Sequence, residues 1–156
     1  MILAPLGWRR AFPPAVLGQI ENAIAASEKE HGGEIRFAVE GSLPGAALWR
    51  KMEPRERAVR VFSDLRVWDT EKNTGVLIYV LWADRDVEIL ADRGYNALVH
   101  PGEWEAVCAA MEAHFREGRF KSGALAGVEG VTRVIARHFP PEERNPNELP
   151  DRPVVL

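Results

Sequence analysis

The sequence predicts an α/β fold, a three-layer α/β/α sandwich around a small mixed sheet, and three observations carry the prediction. Residues Asn73 to Gly94 read NTGVLIYVLWADRDVEILADRG: an apolar run from Val76 to Trp82, a turn over Ala83–Asp86, and a second strand pattern from Val87 to Ala91. The apolar run shows no polar alternation, so its strand must be covered on both faces. Helical patterns precede and follow it, giving the order α-β-α-β-β-α-α, in which a parallel β-α-β unit is extended by an antiparallel hairpin.

Each element has a local justification. Pro13 and Pro14 open a helix whose Val16, Leu17, Ile20, Ala23, Ile24 and Ser27 fall at helical spacing before Gly32 and Gly33. Glu34 to Glu40 alternates as a strand, with Ile35, Phe37 and Val39 on one face and Arg36 and Ala38 on the other. Gly45 to Leu65 reads as a short helical turn and then a longer helix beginning near Pro54, with Ala58, Phe62 and Leu65 facing inward. Pro101, Gly102 and Glu103 begin a helix carrying Trp104, Val107, Cys108, Met111 and Phe115 on one stripe, ended by Gly118. The last helix runs from about Ser122 to His138, where Gly123 and Gly127 leave room for close approach, and Pro140 and Pro141 stop it. The predicted organisation is a single domain over residues 1–139 and a proline-rich tail over 140–156 that buries little and is extended or disordered.

Composition narrows the function classes. A chain of 156 residues supports one ordinary domain, and a formal charge of −3 provides no basic field for a nucleic-acid backbone. The N-terminal stretch MILAPLGWRRAFPP lacks the pattern of an export signal, and no window approaches a membrane span, so the expected location is cytoplasmic without direct membrane insertion. The lone Cys108 sits in an apolar pattern and reads as a small hydrophobe, not a nucleophile. No P-loop, G-x-G-x-x-G, G-x-S-x-G elbow or zinc-like histidine spacing occurs, which argues against a nucleotide or organic cofactor and against serine hydrolase chemistry.

With these elements in place, NTGVLIYV after a helix bearing Ala58 and Phe62, then ADRDVEILADRGY, then a Trp104 helix leading to FREGRFKSGALAGVEGV, resemble the TPM domain family over roughly Glu34 to His138. The family is named for a thylakoid-lumen phosphatase. The resemblance implies an α/β/α sandwich and an activity among acid phosphatases, calcium binders or accessory factors of membrane-associated complexes. With no export signal ahead of the domain and no glycine-rich tail behind it, the chain looks like the short, stand-alone bacterial form.

Strand direction then says where site residues can meet. The loop carrying Asp64, Asp69 and Asn73 lies at the same end of the sheet as Asp92, Arg93 and Gly94. Clustered oxygens of this kind suit calcium or magnesium, and a bound cation beside the planar fork of Arg93 suits a phosphoryl group. The candidate metal ligands are therefore Asp64, Asp69, Asn73 and Asp92, and the candidate catalytic residues are Asp69, Asp92 and Arg93. Turn capping and strand-end pairing would account for the same residues without chemistry. The hairpin acids Asp84 and Asp86, at the opposite end with Glu40 and Ser42, form a second choice, against which stands the turn preference for such residues. His31 and His138 are expected to complement helix dipoles, and His100, before Pro101, is a candidate ligand or acid. Trp8, Trp49 and Trp68 are expected in loops or short helices, where Trp68 beside the acidic loop could serve a protein partner. Two functions follow: weak divalent-cation binding with slow phosphomonoesterase activity, or an accessory domain docking an unidentified protein at a membrane-associated complex.

Overall fold

The computed structural model describes residues 4–45 and 50–156. Its order is α1 (Ala4–Ala11), α2 (Pro14–Ser27), β1 (Glu34–Glu40), α3 (Pro54–Asp64), β2 (Gly75–Leu81), β3 (Asp86–Ala91), a 3-10 turn (Arg93–Tyr95), α4 (Pro101–Arg116), α5 (Phe120–His138) and β4 (Val154–Val155). The helical turn expected after Gly45, and Trp49 with it, falls largely on residues 46–49, outside the described residues.

Proline sets three of the helix starts. Pro14, Pro54 and Pro101 each occupy the first turn, where the missing N–H costs nothing and the fixed φ favours helix. Helix α4 adds a capping box: His100 Nδ1 accepts from the Gly102 N–H at 2.9 Å, and Glu103 Oε2 accepts from the His100 N–H at 3.1 Å. His100 is therefore a helix cap by its contacts.

The sheet runs in the order β3-β2-β1-β4. Strands β1 and β2 are parallel with Glu34 opposite Gly75, and β2 and β3 are antiparallel with Val76 opposite Ala91. Strand β2 is buried along its whole length, as its unbroken apolar run requires. Val76, Ile78 and Val80 point into a core shared with Ile35, Phe37, Val39 and the helices α2, α4 and α5. Leu77, Tyr79 and Leu81 point to the other side, onto α3 and Val67. Full burial of each large apolar side chain contributes about 1.5–3 kcal/mol, so this central strand dominates the stability. Close packing of α5 on α4 depends on Gly123 and Gly127, where a Cβ would come within 2.5 Å of the Phe115 ring and 2.3 Å of Met111 Sδ.

Strand β1 is buried on both faces, including Glu34, Arg36 and Glu40, as a sheet covered on both sides requires, with α3 and the C-terminal segment over one of them. Three expectations need correction. The tail does not lie loose: Leu149 and Pro153 are buried, and Val154–Val155 pairs in parallel with Ala38 and Val39 as a fourth strand. His31 is buried with no exposure; its Nδ1 accepts from the Gly33 N–H at 3.1 Å, and desolvation pushes its pKa down to about 4. It is thus a neutral core histidine, with no charge to offer a helix dipole. Helix α1 is absent from the expected element order; it carries Trp8, expected in a loop or short helix and partly buried against the main core.

Candidate functional site

The loop between α3 and β2 meets the turn after β3 through backbone contacts. Asn73 adopts φ 56°, and its carbonyl accepts from the Gly94 N–H at 3.0 Å, while the Asp92 N–H donates to Gly75 O at 2.9 Å. A Cβ at Gly94 would lie 2.4 Å from Asn73 O, so only glycine allows the two turns to touch. This brings Asn73, Asp92 and Arg93 to one place. Asp92 Oδ1 caps the 3-10 turn by accepting from the Arg93 N–H at 2.8 Å, and its Oδ2 is buried without a partner. Arg93 is exposed. Asp69 is also exposed and pairs with Arg66 Nη2 at 3.2 Å, whereas Asp64 ends α3 in solvent. Among the described residues no hydrogen bond or ion pair joins Asp64 or Asp69 to Asn73 or Asp92.

The second-choice acids behave differently. Asp84 is exposed in the hairpin turn, but Asp86 begins β3 and faces a groove of about 470 Å³ between that edge strand, the start of α3 and helix α4. Arg55, Glu88, Trp104, Cys108 and Glu112 line it with Asp86. Local geometry explains the gathering: Asp86 and Glu88 are two apart on one strand, and Trp104, Cys108 and Glu112 are successive turns of one helical face. The strand's outward backbone groups are taken by side chains. The Val87 N–H donates to Glu112 Oε2 at 3.3 Å, and Arg55 Nη1 donates to Ile89 O at 2.8 Å.

The electrostatics of the groove are those of crowded acids. Asp86, Glu88 and Glu112 all have raised pKa values, first through desolvation; Asp86 then raises both glutamates, while at Asp86 itself hydrogen bonding from the glutamates pulls down and the charge of Asp84 pushes up. Asp86 Oδ2 is buried without a partner. Arg55 reaches Glu88 at 3.5 Å from an exposed position, and the charge of Arg116 bears on Glu112. Cys108 is pushed up to about 12 by burial and then by Glu112 and Glu88, which leaves it an unreactive thiol. Among the described residues no set of three histidine, cysteine or acidic side chains is already disposed to hold a metal ion. Glu88 and Glu112 were not identified from sequence; the signal that could have found them is the two-residue spacing from Asp86 and the four-residue spacing from Cys108.

Glu40, at the far end of β1, is fully engaged. Arg57 donates to it in bidentate fashion, Nε to Oε1 at 2.8 Å and Nη2 to Oε2 at 2.9 Å, and Tyr79 donates to Oε1 at 2.6 Å. This triad bolts α3 to the sheet and commits both Glu40 oxygens to structural hydrogen bonds.

Among the described residues no helix is long and apolar enough to cross a membrane. No curated protein matches the chain. Among solved structures, it is similar to the NMR structure of BA42 protein from the psychrophilic bacterium Bizionia argentinensis, with 30% identity, a TM-score of 0.80, and coverage of 91% of this chain and 93% of that one. It shares the fold of the N-terminal domain of a P. gingivalis protein at 19% identity and a TM-score of 0.63, covering 86% of this chain and 81% of that one. Residues 10–134 match the TPM domain, and the chain belongs to that family.

Proposed function

We propose that this TPM domain binds a divalent cation weakly, in the groove along β3, with a slow phosphomonoesterase activity dependent on it. The observation that carries the reading is the crowding of Asp86, Glu88 and Glu112, all holding protons above the ordinary carboxylate range beside an unpartnered Asp86 Oδ2. The charge-bearing donors are oxygens, the preference of calcium and magnesium. The side chains must converge before three oxygens meet, which supports weak binding over tight. A bound cation would supply the charge that holds a phosphoryl oxygen and acidifies a water. The protein's own part is to orient: Glu112 is fixed by the Val87 N–H, and Arg55 stands at the rim, its Nη1 held by the Ile89 carbonyl and its other N–H groups within reach of a phosphate oxygen in the groove.

Titration with calcium or magnesium, followed by amide spectra of 86–89 and 108–112, tests the reading, with an artificial phosphate ester assayed in parallel. Wild type should show saturable shifts at millimolar cation, and Asp86→Asn and Glu112→Gln should weaken binding at least about tenfold. Unmoved amides, or equal affinity in both variants, would remove the groove from consideration. Shifts confined to Asn73 and Asp92 would instead favour the opposite end. The accessory reading is supported by Trp68, 47% exposed with the Arg66 guanidinium 5.2 Å from its ring centre. A partner contact there would survive loss of every groove carboxylate.

A further inference from the structure

The segment from Glu148 to Leu156 lies across β1 as a strap, and its fastening is built from groups that disfavour being charged together. Arg36, 7% exposed, donates through Nη1 to the Pro150 carbonyl at 2.9 Å and the Arg152 carbonyl at 2.8 Å. Glu34, 3% exposed, accepts from the Glu148 N–H at 2.6 Å through Oε1, and its Oε2 has no partner. Asp151 of the strap and Glu28 at the end of α2 come together beside them, again with an unpartnered oxygen on each. Beyond this point the Leu156 N–H donates to Val39 O at 2.9 Å.

We propose that the strap is a proton-held latch, docked on β1 while the carboxyls of Glu28 and Glu34 keep their protons beside Asp151 and released when those protons leave. Asp151 bears on the buried Arg36 guanidinium and, with Glu148, on Glu34, while Asp151 and Glu34 bear on Glu28, so full ionisation would set several carboxylates against one another around the buried Glu34. The other neighbours do not offset it. His31 on the loop before β1 is neutral, the Tyr95 hydroxyl donates to Thr74 O, and Lys72 of the adjacent loop is paired with Glu142. Two carboxyls such as Glu28 and Asp151 can bond only when one keeps its proton. Burial raises Glu34 to about 7, and burial with the proton shared with Asp151 raises Glu28 to about 8. A folded pKa above the ordinary value means that docking takes up protons, so the docked form weakens as pH rises from near 4.5 to these values. Release bares the outer hydrogen-bonding edge of β1, a surface able to accept another strand.

The test follows the amide signals of Val154, Val155 and Leu156 in the whole chain between pH 5.5 and 9. The open fraction should rise at least about tenfold across this range, with β2 signals unchanged. Glu34→Gln and Glu28→Gln, each a neutral mimic of the protonated acid, should hold the strap down at high pH. Strap signals constant with pH in wild type would overturn the proposal. So would variants that titrate like wild type, or loss of the strap only together with the β2 signals.

Discussion

At its β1 edge the sheet is completed by the chain's own strap, whereas at its β3 edge side chains of Arg55 and Glu112 take the place of a strand. Both edges are thereby kept from pairing freely with other chains, and both are lined with carboxyls whose protons are held above the usual range. The difference lies in what can replace the proton. At β1 the acids are sealed under the strap, and losing protons costs the contact itself. At β3 they face an open groove, and a cation can enter as protons leave. Rising pH should therefore loosen one edge and strengthen cation binding at the other.

The largest effect expected from breaking this contrast comes from Arg36→Ala, which removes the buried guanidinium beside Asp151 and leaves the Pro150 and Arg152 carbonyls without their donor. Urea unfolding should show a loss of about 3–5 kcal/mol. A loss below about 1 kcal/mol would mean that the strap is fastened elsewhere. Leu149→Ala, which empties a buried site under the strap, should cost about 2–3 kcal/mol without changing the pH dependence. Glu34→Gln should flatten the pH dependence itself. Wild type binds more protons folded than unfolded between about pH 4.5 and pH 7, so its stability falls across that window by about 2 kcal/mol, and the variant should lack that fall. The smallest effect belongs to the exposed side of the β3 edge. Arg55→Ala should lose no more than about 1 kcal/mol on thermal unfolding, while leaving the strap signals untouched.

How far the molecule could be read from its sequence follows the range of the forces involved. The run Val76–Leu81 identifies its own double burial, and the prolines at 14, 54 and 101 mark their helices, because these signals are local. Asp86 was within reach for the same reason, being next to a turn. The strap was not: its residues are polar and proline-rich, and they acquire a binding place through groups such as Glu34 and Arg36, 114 residues earlier. Likewise Glu112 joins Asp86 only once α4 is laid along β3. Asp64 and Asp69 show the converse, since closeness in sequence to Asn73 did not bring them into contact with it.

The parallel pairing of β1 with Val154–Val155 has a consequence for the order in which the protein can be made. At about 5–20 residues per second, the ribosome delivers the partner of β1 on the order of ten seconds after β1 itself. Throughout that interval the nascent sheet has one unfinished side, next to a strand whose other face already carries Ile35, Phe37 and Val39. The same long separation makes this a late contact to form by search, because a loop of more than a hundred residues must close before the two strands can pair.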